Sequence, residues 1–217
     1  MRVRTVFSAT ALAAVLGVAG VGCNGGDAPP AVSIHKAAAS GDLDALRANL
    51  AAGVDIHERG RSDATPLHSA VWERQAGAVR ALVEAGANPD LLDGKDWSPL
   101  HYAVQNGFDD LVVLLLDLGA DVNAANMYGY TALHAAAHSG KAAIAKILID
   151  RGAKLDVRDG FGKTALHMAV KMHSDDAVAV LVDAGADVTI LDRSGRTPLA
   201  EAEAAGAGEE TLARLRR

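Results

Sequence analysis

Histidines are the first candidates for chemistry, because His134 and His138 stand four residues apart in the segment HAAAH. On a helix this spacing puts both imidazoles on one face, as in zinc-binding helices. No glutamate follows His134 and no third ligand can be named, so the segment predicts a structural histidine and no metal site.

His134 also belongs to a regular series of histidines. Five of them recur at intervals of 33 residues: His35, His68, His101, His134 and His167. If each belongs to one layer of stacked helices, neighbours lie about 10 Å apart. Zinc holds all its ligands within about 2 Å, so the series cannot bind one ion.

The segment GFGKT, from Gly160 to Thr164, ends like a phosphate-binding loop. That motif requires an earlier glycine at the position that Val157 occupies, and it requires a strand before the loop. We therefore predict an ordinary turn.

Acidic residues are numerous, but most recur at fixed positions. One shared loop position holds Asp93, Asp159 and Asp192, and Asn126 holds it in the fourth unit. Such side chains favour turns by bonding to nearby backbone. Cys23 is the only cysteine, and no Ser-His-Asp or Cys-His arrangement can be argued. We predict that the chain is not an enzyme and uses no cofactor, with a catalytic site grafted onto the repeat surface as the remote alternative.

These residues must be positioned by a repeated element. The tetrapeptides that start it are TPLH at Thr65, SPLH at Ser98, TALH at Thr131 and Thr164, and TPLA at Thr197. Glycines share the period at positions 53, 86, 119, 152 and 185. Self-similarity at about this length is typical of a solenoid.

Each recurring letter has a physical role. Thr or Ser is expected to cap a first helix, with its hydroxyl accepting from a backbone N–H, and proline is tolerated at the next position. The following leucine, as in Leu67 and Leu199, is expected to point into the core. A second helix carries apolar residues at helical spacing, such as Val79 and Leu82. Glycine then ends it in the left-handed conformation.

The period and the T-P-L-H-x-A core resemble the ankyrin repeat, over Val32 to Arg217. The resemblance implies an all-α solenoid of about six stacked helix-turn-helix units with hairpin-like loops. It also implies a hydrogen bond from the repeated histidine to neighbouring loop backbone. We predict a repeat domain over residues 32–217, with units at 32–59, 60–92, 93–125, 126–158, 159–191 and 192–217. The first unit has Val32 and Ser33 in place of Thr-Pro, and the last has Ala200 in place of His, so both are predicted to be caps.

The N-terminal segment predicts export. Arg2 and Arg4 precede an apolar run over residues 6–21, so residues 1–22 are predicted to be a signal peptide and residues 23–31 a flexible tether. Cys23 follows the run and resembles the lipidated cysteine of bacterial lipoproteins, although Gly20 stands where such signals usually have leucine. The expected location is the periplasm or an envelope membrane, and the alternative is a soluble secreted protein.

Composition limits the partners. The formal net charge is −6, and it becomes −8 if residues 1–22 are removed. Binding to nucleic acid needs a basic face, so no nucleic-acid partner is expected.

Half of the residues are apolar and only 4% are aromatic, so the core must consist of Ala, Leu, Val and Ile.

The few aromatic residues concentrate at repeat positions expected to face one surface. Aromatic and Met residues are enriched in interfaces, and Trp and Tyr often dominate binding. The predicted partner-binding residues are Trp72, Trp97, Tyr102, Tyr128, Tyr130, Phe161, Met168 and Met172. Alternatively, some of these rings fill space between repeats. The same loops carry Arg61, Lys95, Lys163, Arg193 and Arg196, which would suit an acidic partner.

The sequence therefore predicts a monomeric protein-binding module of the bacterial envelope. We expect it to regulate, inhibit or protect another exported protein whose identity the sequence does not give. The alternative is a structural envelope scaffold without a regulatory role.

Overall fold

The computed structural model describes residues 32–216. The predicted signal peptide, Cys23 and the tether lie outside the described residues. The twelve α-helices of this part of the chain are α1 (Ile34–Ser40), α2 (Leu43–Ala51), α3 (Pro66–Trp72), α4 (Ala76–Glu84), α5 (Pro99–Asn106), α6 (Asp109–Asp117), α7 (Ala132–His138), α8 (Ala142–Asp150), α9 (Ala165–Lys171), α10 (Asp175–Asp183), α11 (Pro198–Ala205) and α12 (Glu209–Leu215). A short 3-10 helix, Arg61–Asp63, precedes α3.

The helices form two layers that run in chain order. The odd-numbered helices α1, α3, α5, α7, α9 and α11 each contact the next odd-numbered helix, and the even-numbered helices do the same among themselves. Each helix also packs against its partner in the pair, as α5 does against α6. Because contacts run from neighbour to neighbour, the architecture is the predicted all-α solenoid. Within residues 32–216, no helix has the length and apolar character needed to cross a membrane.

The core is built from small aliphatic residues, as composition required. Leu67, Leu100, Leu133 and Leu166 are at most 2% exposed, and they lie between successive odd-numbered helices. Leu199 is only half-buried because no further repeat covers α11. The even-numbered helices contribute buried residues such as Leu82 and Leu115.

Glycines end five even-numbered helices, α2 to α10, as predicted. The five periodic glycines have φ between 78° and 104°. An L-residue with a side chain rarely adopts this left-handed conformation. The chain can therefore leave each even-numbered helix sharply and enter the next hairpin.

Hairpins connect the units and project from one edge of the stack. In the hairpin at residues 159–163, the Asp159 N–H donates to the Lys163 carbonyl at 2.8 Å, and Asp159 Oδ1 accepts from the backbone N–H groups of Phe161 and Lys163 at 2.8 Å each. The hairpins at 93–97, 126–130 and 192–196 repeat this pattern. Neighbouring hairpins also bond to each other, as where Gly160 N–H donates to the Tyr128 carbonyl.

Four of the five repeated histidines join their unit to the next hairpin, whereas His35 Nε2 lies 3.0 Å from the Glu58 carbonyl oxygen, 23 residues ahead. His101 Nδ1 lies 3.3 Å from the backbone N of Ser98, and its Nε2 lies 3.1 Å from the Tyr130 carbonyl oxygen. A backbone N–H can only donate and a carbonyl can only accept, so Nε2 carries the proton and the ring is neutral. His68, His134 and His167 make equivalent bonds to the carbonyls 29 residues ahead, at 2.9–3.2 Å.

The histidines also modify the predicted caps. At Thr65, Thr131 and Thr164 the hydroxyl lies 2.8–3.0 Å from histidine Nδ1, and this bond adds to the capping box, in which the threonine side chain also faces the backbone N–H of the histidine. In the last unit, where Ala200 replaces histidine, the Thr197 hydroxyl accepts from the Ala200 N–H at 3.1 Å as predicted. Because histidine Nδ1 is an acceptor, the hydroxyl donates to it, and the hydroxyl oxygen can still accept from the helix backbone, as Ser98 Oγ does from the His101 N–H.

These neutral histidines make stability depend on pH. Burial lowers the pKa of His101 from 6.5 to about 4, and it lowers the pKa of the three equivalent histidines as well. Below pH 6.5 the unfolded chain takes up protons that the folded chain does not. The stabilisation is therefore complete above pH 7 and is lost as the pH falls from 6.5 towards 4.

We expect the free energy of unfolding to fall by about 2 kcal/mol between pH 7 and pH 5 from His101 alone. Urea unfolding at the two pH values measures the fall. His101→Gln, which does not titrate, should reduce the fall by a similar amount, whereas the exposed-site control His138→Gln should reduce it little. An equal fall in the wild type and in His101→Gln would contradict this role of the histidine.

Candidate functional site

An open groove of about 490 Å³ lies along the hairpins of the C-terminal half of the stack. Its apolar lining consists of Trp97, Tyr128, Tyr130, Phe161 and Met168, and we call it the aromatic groove. The rings come from three successive hairpins, and Met168 comes from helix α9. The groove therefore exists only because consecutive units are held side by side.

Two of the lining rings are at hairpin tips and are largely exposed. Tyr128 is 59% exposed and Phe161 is 70% exposed, and Met127 beside them is 71% exposed. Asn126 Oδ1 and Asp159 Oδ1 hold the backbone of the two tips through the bonds described above. These apolar side chains are thus presented to solvent on hydrogen-bonded hairpins.

A second group of rings fills space within the stack. Trp97 lies 5.2 Å from Tyr102 and 6.3 Å from Tyr130, measured between ring centroids, and Trp72 meets Tyr102 edge-on at 5.3 Å. Tyr130 stacks on His134 at 5.4 Å. Trp97 and Tyr130 of this group also line the aromatic groove, and Trp72 and Tyr102 continue its wall towards the N-terminus.

The structure brings most of the predicted binding residues together. Five of the eight line the aromatic groove, while Trp72 and Tyr102 continue its wall through ring contacts. Met168 is only 8% exposed, so it forms the floor. Met172 is 43% exposed at the end of helix α9 and lies outside the groove lining.

The predicted basic character of the loops is smaller than the sequence suggests. Lys163 Nζ lies 2.7 Å from a Glu201 carboxylate oxygen and 3.5 Å from Asp192 Oδ2. Arg196 lies 3.6 Å from Asp192 and 3.7 Å from Glu201. Two of the five loop cations are therefore neutralised by carboxylates, one of which arrives from helix α11.

Burial and charge set the protonation states beside the groove. Burial raises the pKa of Tyr130 to about 12, with the negative charge of Asp159 adding to the rise. Loss of solvent would raise the pKa of Asp192, but N–H donors of Arg196 and Ser194 and the Lys163 charge together lower it. The phenol stays protonated and this carboxylate stays ionised at neutral pH.

The structure gives the metal-like and phosphate-like segments structural roles. His134 is buried and donates to the Lys163 carbonyl, while His138 is exposed in the aromatic groove. The GFGKT segment forms a hairpin tip with Gly162 at φ +75°. Among the described residues, no group of three or more His, Cys, Asp and Glu is arranged to hold a metal ion.

Sequence reasoning did not assign three polar residues, His138, Lys171 and Ser194, to the groove. His138 and Lys171 line it, and both lie seven residues after the helix cap, as Trp72 does. The comparison of repeat positions that selected Trp72 among the aromatic residues would have identified His138 and Lys171 if polar side chains had been included. The pairing of Lys163 with Glu201 spans 38 residues and had no such signal.

Comparison with known proteins agrees with this geometry. The family model for ankyrin repeats (three copies) matches residues 34–126, 124–192 and 152–215, and the chain belongs to the ankyrin repeat family. An ankyrin repeat domain from Acinetobacter baumannii AYE is 32% identical to it. That match covers 84% of this chain and 95% of the other, with a TM-score of 0.76. No curated protein matches the chain. Ankyrin repeats are generally protein–protein interaction modules, and the predicted fold class is confirmed.

Proposed function

We propose that this chain binds a segment of another exported protein in the aromatic groove and thereby regulates, inhibits or protects that partner. The observation that carries the proposal is the exposure of Tyr128 and Phe161 on adjoining hairpins beside the groove. Large apolar side chains on a polar surface are typical of interfaces.

Rigidity supports binding through this surface. The hairpins are held by internal bonds, by bonds to each other and by the histidine of the preceding unit. A surface that is ordered before association loses little conformational entropy when the partner arrives. Aromatic rings also bury a large area with few rotatable bonds, which favours them as anchors.

The proposed action is binding without catalysis. Two of the titratable groups at this surface are engaged in structure: Asp192 pairs with Lys163, and His134 bonds to the next hairpin. The proposed setting is the bacterial envelope, with the chain attached through a lipid on Cys23. Support for that setting is the apolar run before Cys23 in the sequence.

A photo-crosslinking amino acid in place of Tyr128 should capture the partner in cells that naturally make the protein. The same group in place of Arg80, an exposed residue of helix α4, is the matched control and should give no such product. Mass spectrometry of the crosslinked band identifies the partner. An identical set of products from both positions would contradict binding at the groove. A captured partner whose activity is unchanged by binding would favour the scaffold role over regulation.

The membrane anchor is tested separately. Cys23→Ala removes the thiol that a lipid would modify, so the protein should move from the membrane fraction to the soluble fraction. Cys23→Ser is a second variant that keeps the size of the side chain, and it should behave alike. Fractionation and immunoblotting measure the distribution. An unchanged membrane fraction in both variants would contradict the anchor and leave the groove proposal untouched.

A further inference from the structure

Three aspartates occupy the same position in three of the four hairpins and can be compared directly. They are Asp93, Asp159 and Asp192, and each is at most 8% exposed. In all three, Oδ1 accepts from the backbone N–H groups two and four residues further on. The three carboxylates are therefore held in one orientation, and only the surroundings of Oδ2 differ.

The second oxygen has a partner in two of the three. Asp93 Oδ2 accepts from the Tyr102 hydroxyl at 2.7 Å. Asp192 Oδ2 lies 3.5 Å from Lys163 Nζ and 3.6 Å from Arg196. Between residues 32 and 216, no side chain lies within hydrogen-bonding or ion-pairing distance of Asp159 Oδ2.

Comparison of equivalent repeat positions explains why Asp159 Oδ2 has no partner. Lys163 stands four residues after Asp159, where Arg196 stands relative to Asp192, but it reaches forward to Glu201 and Asp192. Met168 occupies the position from which Tyr102 bonds to Asp93, and a thioether supplies no donor. Asp159 Oδ2 therefore has neither a hydroxyl partner, as Asp93 has, nor a cationic partner, as Asp192 has.

The unpaired oxygen faces the aromatic groove. Asp159 lines the groove, and every fully buried side-chain N or O atom of the described residues has a partner. Its Oδ2 is therefore in contact with solvent that enters the groove. Any segment that fills the groove displaces this solvent, and an ionised carboxylate without a partner is costly to cover.

We propose that Asp159 receives an arginine or lysine side chain of the bound protein. This inference rests on the proposed function and names the chemistry of the anchor. The rings of Tyr130 and Phe161 line the groove beside Asp159, and aromatic faces attract a cation that has lost its water. Lys171 and Arg193 at the rim form no ion pair among the described residues, so acidic residues flanking the anchor complement them.

The test uses two blocked pentapeptides as probes: a central arginine between alanines and terminal glutamates, and the same peptide with neutral citrulline. Binding to the protein is measured from NMR shifts of the Tyr130 and Phe161 amides. The arginine peptide should bind about ten-fold more tightly, because a charge-assisted bond is stronger than a neutral one.

Two variants test whether Asp159 is the group that binds the arginine side chain. Asp159→Asn keeps the Oδ1 acceptor, as Asn126 does in its own hairpin, and it should bring the affinity ratio close to one. Asp176→Asn, at an exposed acid of helix α10, changes the net charge equally and should leave the ratio at about ten-fold. Equal affinities in the wild type, a ratio that persists in Asp159→Asn, or no groove shifts with either peptide would overturn the inference. The crosslink at Tyr128 tests the proposed function independently of these results.

Discussion

The imidazole bridge between neighbouring units is the interaction on which the rest of the structure depends. One ring nitrogen accepts within its own helix cap, and the other donates to the hairpin of the next unit. Both bonds require the neutral ring, and burial maintains it by lowering the pKa. Because each bridge spans 29 residues, it converts a local cap into a contact that fixes one unit against another.

The same bridges explain why a binding surface can form without an enclosed core pocket. They hold the hairpins at a regular spacing, so side chains from four of them meet in the aromatic groove. What the groove then recognises depends on departures from the repeat. Lys163 reaches forward to Glu201, and Met168 replaces a donor, so one of three equivalent aspartates faces the groove unpaired.

The sequence was sufficient for what the repeat determines. Spacing predicted the helix caps and the terminal glycines, and the resemblance to the ankyrin repeat implied the bond from the repeated histidine to neighbouring loop backbone. It placed Tyr128 and Phe161 on one surface because they share a repeat position. It did not predict that Lys163 and Arg196 are neutralised, because that depends on how far a flexible side chain reaches into the next unit. Nor did it predict that the Thr65 hydroxyl donates to imidazole, because that bond depends on the orientation of the His68 ring.

Hydrogen exchange of the protein without a partner tests the central claim that the groove is rigid before binding. The amides of Phe161 and Lys163 donate to Asp159 Oδ1, so they should exchange within about ten-fold of the rate at buried Leu133 in helix α7. NMR resolves the individual amides at pH 7. If these hairpin amides exchange at the rate of an unstructured peptide while Leu133 remains protected, the groove is not preorganised and the account is wrong.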